Sequence, residues 1–138
     1  MDSQPLCRER SCLMFAPVVL CVDDRPDWLK LRKGALEPLG YSVITATDAS
    51  MALTLLEALP VDVVLLEYKS EGMDAEAVAF EIKSHFPSQP IVLLSAFAEL
   101  PDRTLWLVDD YLMNSQLDLL PESIARVTRP ENRAPGAA

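Results

Sequence analysis

Three short apolar runs in this 138-residue chain each end on a side chain able to do chemistry. Pro17-Val18-Val19-Leu20-Cys21-Val22 is followed by Asp23-Asp24, Val63-Val64-Leu65-Leu66 by Glu67, and Ile91-Val92-Leu93-Leu94 by Ser95. Carboxylates drawn into one crevice repel one another, and they are stable together only around a cation or with a raised pKa. Three acids and a hydroxyl form a donor set suited to Mg2+ and phosphoryl chemistry. The plainer reading makes them solvated residues at strand exits.

A parallel sheet would bring these side chains together. Apolar runs rich in β-branched residues read as strands buried on both faces, and the ligand crevice of an open parallel sheet lies outside the strands' carboxyl ends. Helical patterns alternate with the strands. Pro26 opens the first, whose predicted inner face is Trp28, Leu31, Ala35 and Leu39, and Pro38 and Gly40 end it. After a strand over Tyr41–Ala46, Asp48 caps a helix carrying Met51, Ala52, Leu55, Leu56 and Leu59. Asp74 opens another, with Ala75, Val78, Ala79, Ile82 and Phe86 inward. Phe97–Leu107 reads as a weak helix interrupted by Pro101, and Asp109–Met113 as a short strand. A closing helix from about Pro121 carries Leu117, Leu120, Ile124 and Val127 on its apolar side. Five alternations predict an α/β domain, a doubly wound five-stranded parallel sheet covered on both faces.

Composition narrows the function classes. A net charge of −9 without a basic stripe argues against nucleic acid as a partner. The apolar runs are too short to cross a bilayer, and the start lacks the apolar core of a secretory signal, so a cytoplasmic protein without membrane contact is expected. Cys21 reads as a small buried hydrophobe, while Cys7 and Cys12 have no third or fourth metal ligand nearby. His85, beside Phe86 and Pro87, reads as a surface or cap residue. The predicted organisation is an extension over residues 1–15, one domain over 16–128, and a disordered Pro/Gly/Ala-rich tail over 129–138.

Val22-Asp23-Asp24, the acid after the third strand, Ser95-Ala96 and Asp109-Asp110-Tyr111-Leu112 occur in an order that resembles the receiver domain of bacterial response regulators. The resemblance runs over roughly Pro17–Val127. It implies the flavodoxin-like (βα)5 fold, an acidic pair that holds Mg2+, and a strand-three aspartate that accepts a phosphoryl group from a histidine kinase. It also implies a Ser/Thr and a Lys that grip the phosphoryl, and a strand-five aromatic that changes rotamer. By this resemblance Asp23 and Asp24 are the Mg2+ pair, and Ser95 and Tyr111 are the switch residues.

The sequence departs from the pattern at decisive positions. Glu67 stands in place of the acceptor aspartate, Asn114 in place of the lysine, and Ser115 in place of the proline after it. The span from Ser95 to Tyr111 is short by about three residues, which should cut helix four. A glutamate carboxylate lies about one C–C bond farther out, roughly 1.5 Å. In-line transfer loses on the order of a hundredfold for such a displacement, and loss of the lysine removes the cation opposite the phosphoryl oxygens. The expectation is an atypical single-domain receiver in two-component signalling that works without phosphorylation. Glu67 would imitate the phosphorylated state towards Ser95, or Lys69 would serve as an internal cation. Mg2+ is the one candidate cofactor. The expected partner is a histidine kinase or a downstream signalling protein, reached through the face formed by the fourth helix, fifth strand and fifth helix; a homodimer is also compatible. The chain is not expected to be an enzyme, and the alternative is a Mg2+-dependent phosphatase or phosphotransferase using Asp23 and Asp24.

Overall fold

The computed structural model describes residues 16–68, 73–96 and 99–128. The expectations placed on 1–15, with Cys7 and Cys12, on Lys69, and on 129–138 lie outside the described residues. Among those described, β1 (Val18–Val22), β2 (Ser42–Ala46), β3 (Val63–Glu67), β4 (Ile91–Ser95) and β5 (Asp110–Met113) form one sheet in the order β2-β1-β3-β4-β5. All four pairings are parallel. The helices are α1 (Pro26–Leu36), α2 (Ala49–Ala58), α3 (Ala75–His85), α4 (Asp102–Trp106) and α5 (Leu120–Val127). The doubly wound α/β expectation is met.

Side-chain alternation along the strands divides the core in two. Val19, Cys21, Val63, Leu65, Val92, Leu94 and Leu112 pack with α1 and α5. Leu20, Val22, Val64, Leu66, Ile91 and Leu93 pack with α2 and α3 on the other face. This two-sided burial explains why the strands read as unbroken apolar runs. Capping is as the sequence predicts: Asp48 accepts from Met51 N at 2.8 Å, and Asp74 from Glu76 N and Ala77 N at 3.0 and 3.3 Å. Gly40 closes the 3-10 turn after α1 with φ +102°, a conformation that glycine adopts without the Cβ penalty.

One expectation needs correction. The inner face of α1 is not Trp28, Leu31 and Ala35, all of which are exposed, but Leu29, Arg32 and Leu36. The helix is rotated by one residue, about 100° about its axis, and an arginine sits within its inward stripe. Leu39 lies beyond the helix in the 3-10 turn. The fourth helix is cut short as expected, to five residues beginning after Pro101, and the Thr104 hydroxyl and Arg103 both bond to Glu76 of α3.

Cys21 is buried in the α1/α5 layer, and burial pushes its thiol from 9.0 up to about 12, with Arg32 acting weakly in the opposite direction. Burial also raises Tyr41. Between pH 9.0 and about 12 the unfolded chain releases the Cys21 proton while the folded chain keeps it. The contribution of Cys21 to stability is therefore intact below pH 9 and falls as pH rises through this window. We expect the melting temperature to decline on alkaline titration, and the decline to be shallower in Cys21→Ala; equal slopes would show that Cys21 does not contribute.

Candidate functional site

The strand order reverses between β1 and β3, which opens a crevice at their carboxyl ends. Val22 pairs with Leu66, so Asp23 and Glu67 stand side by side at the head of the two strands. Glu67 continues the alternation Val63, Leu65, Glu67 and so faces the α1/α5 layer. It is buried, with its side chain 9% exposed. A carboxylate so placed must be matched by a cation or by hydrogen bonds.

The match comes from α1. Arg32 donates from Nη2 to Glu67 Oε1 at 3.0 Å and to Asn114 Oδ1 at 3.3 Å. Asn114, in the 3-10 turn that follows β5, donates from Nδ2 to Glu67 Oε2 at 3.3 Å. The three side chains close a triangle in which both Glu67 oxygens are engaged. The Arg32 side chain is itself only 12% exposed. Beside it, Asp23 Oδ1 accepts from the Arg25 backbone N at 3.0 Å and from Arg25 Nε at 3.4 Å. The Trp28 ring lies 5.0 Å from the Arg25 Cζ and 5.8 Å from that of Arg32, within reach of a cation–π interaction.

Of the residues singled out in the sequence, the structure brings Glu67 and Asn114 into contact and sets Asp23 next to Glu67. Ser95 is fully buried at the end of β4. By alternation it follows Ile91 and Leu93 towards the α2/α3 layer, where Tyr111 also packs, so the expectation that Glu67 reaches towards Ser95 is corrected: the Glu67 oxygens turn to the other face, to Arg32 and Asn114. Leu93 pairs with Tyr111 and Ser95 with Met113, so the two switch candidates share one side of neighbouring strands. Arg32 was missed because the more hydrophobic stripe of α1 drew the prediction. The signal available was the rival spacing Leu29, Arg32, Leu36, a single cation at i+3 on a stripe aimed at the sheet.

The implied Mg2+ can be tested against these contacts. Among the described residues no group of three or more His, Cys, Asp or Glu side chains is arranged to hold a metal ion. Glu67 is committed to Arg32 and Asn114, and Asp23 to Arg25. With both Glu67 oxygens and Asp23 Oδ1 engaged in this way, these two carboxylates do not fit a divalent ion.

The model of the response regulator receiver domain matches residues 19–112. The chain belongs to the response regulator receiver family. Transcriptional regulatory protein GlrR of Escherichia coli (strain K12) is 36% identical to it over 84 residues, 61% of this chain and 19% of GlrR. The sensor histidine kinase GacS of Pseudomonas protegens is 36% identical over 105 residues, 70% of this chain and 12% of GacS. The chain thus spans a fifth or less of the length of these two relatives. The crystal structure of response regulator protein TrrA from Thermotoga maritima, in complex with Mg2+-BeF, matches with a TM-score of 0.71 at 30% identity. That match covers 80% of this chain and 98% of TrrA. TrrA in complex with histidine kinase ThkA matches with a TM-score of 0.72, also at 30% identity, over 82% of this chain and 99% of that one. This is a receiver domain, the module of two-component signalling, and Asn114 stands two residues beyond the span that the family model matches. No helix among the described residues is long and apolar enough to cross a membrane.

Truncating one partner of a buried ion pair leaves the other charge uncompensated, at a cost of about 3–5 kcal/mol. Arg32→Met in this receiver should therefore be strongly destabilising, and adding Glu67→Gln should recover much of the loss. Chemical denaturation of the native protein, both single variants and the double variant gives the coupling. Additive losses would show that the pair is not energetically linked.

Proposed function

We propose that this receiver domain transmits signals by protein contact without being phosphorylated at its strand-three position. One observation carries the reading: the side chain in the acceptor position is a buried glutamate whose two oxygens are held by Arg32 and Asn114. An acceptor carboxylate must present a free lone pair in line with the incoming phosphorus. Here the lone pairs point at an arginine and an amide, and the longer side chain moves the oxygens further from that line. Asn114 in place of a lysine removes a mobile cation and supplies a neutral group that donates to Glu67 and accepts from Arg32. The domain is then held in one state by its own side chains.

Output on this reading passes through the face of α4, β5 and α5, to a histidine kinase or a downstream signalling protein. TrrA, similar in fold and sequence, is known in complex with a histidine kinase. Trp106 on the short α4 is 83% exposed, and large exposed aromatics are the usual anchors of protein interfaces. Asp110 of β5 is fastened to α5 by Ser123 and Arg126, so strand and helix present their surface as one piece. The rival reading, a Mg2+-dependent phosphatase or phosphotransferase on Asp23 and Asp24, must contend with Asp23 already held by Arg25.

Acetyl phosphate with Mg2+ tests the proposal directly. Intact-mass measurement should show no phosphoryl adduct on the native chain and no turnover of the donor. A stoichiometric adduct on an acidic side chain would overturn phosphorylation independence, and sustained donor hydrolysis would favour the enzyme.

A further inference from the structure

We infer that Arg32, seated by the Trp28 ring, is the resident cation of the crevice and excludes divalent ions from it. The inference deepens the phosphorylation-independent reading and names what controls the same site. It rests on three observations besides the Arg32–Glu67 contact.

The first is the way the two arginines are held. Trp28 lies three residues after Arg25 and four before Arg32, so on a helix the three side chains are neighbours. Its ring faces both guanidinium groups, at 5.0 and 5.8 Å, and each arginine bonds a different crevice carboxylate: Arg25 to Asp23, Arg32 to Glu67. A planar guanidinium can stack on an indole and donate in its own plane at the same time, which an ammonium cannot do. Trp28 is thus a positioning residue that acts through the arginines.

The second observation is space. The cavity left among Cys21, Asp23, Leu29, Arg32, Leu65 and Glu67 is about 10 Å3, room for about one water. Mg2+ sheds its waters reluctantly and usually keeps several when bound by one or two carboxylates. Admitting it would require Arg32 to leave.

The third is charge. A dication at Glu67 would sit against a buried monocation, and like charges at that separation disfavour one another strongly away from solvent. With Arg32 in place the local charge on Glu67 is already balanced, so a metal would only exchange one neutralising partner for another while adding its own desolvation.

The test is Mn2+ titration of the full chain, followed by calorimetry and by the metal-induced change in melting temperature. The native protein should bind Mn2+ weakly and show no shift. Arg32→Met keeps the apolar stem, frees Glu67, and should bind at least about tenfold more tightly, with a melting shift that disappears in Arg32→Met/Glu67→Gln. Trp28→Leu provides a second route should Arg32→Met not fold; it should show a smaller gain in affinity together with faster exchange of the Arg32 Nε proton. Tight Mn2+ binding by the native chain, or no gain in either variant, would overturn the inference. A Trp28→Leu protein indistinguishable from native would remove Trp28 from it. Native Mn2+ binding without an acetyl phosphate adduct defeats only the resident cation. An adduct defeats the phosphorylation-independent reading whatever the metal does.

Discussion

The buried pair between Arg32 and Glu67, joined by Asn114, ties α1, β3 and the turn after β5 together at the head of the sheet. Once β3 is paired on both sides, alternation leaves no choice about where Glu67 points. Its carboxylate then faces a layer made mostly of Val, Leu and Ile. An uncompensated charge there costs about 3–5 kcal/mol, more than the roughly 1.5–3 kcal/mol from burying one leucine. The comparison explains the setting of α1. Turning Leu31 and Trp28 inward would gain apolar burial but withdraw Arg32 from Glu67. The helix instead buries Leu29, Arg32 and Leu36, leaving Trp28 at the surface, where its ring braces the arginines.

The pair also joins parts of the chain that are far apart in sequence. Arg32 belongs to α1, Glu67 to β3 and Asn114 to the turn after β5, with separations of 35, 47 and 82 residues among the three bonds. A receiver that responds to a transient covalent charge needs those elements free to shift relative to one another. Here a permanent charge pair spans them. At the opposite ends of the strands the same economy recurs: Asp109 accepts from Lys83 and from Ile91 N, and Asp62 accepts from Val18 N, so these acids fasten loops to the sheet. Several acids that look available for ligands in the sequence are thus already engaged within the fold.

The strands, their direction and the position of the crevice were legible in the sequence because each depends on local pattern. A strand buried on both faces has to be an apolar run, and Asp48, Asp74, Pro26 and Gly40 mark helix ends through their own backbone and capping chemistry. The departures at Glu67 and Asn114 were visible as residue types in fixed places. Even their partnership was not, because nothing local tells an asparagine after β5 that a glutamate 47 positions earlier will be its acceptor. The face of α1 was a choice between two stripes one residue apart, and apolar content favoured the wrong one. Hydrophobic periodicity identifies the inner face when the layer it meets is wholly apolar. Here that layer ended in a buried carboxylate, and only the assembled sheet, by placing Glu67 beneath α1, decided that an arginine had to turn inward and a tryptophan outward.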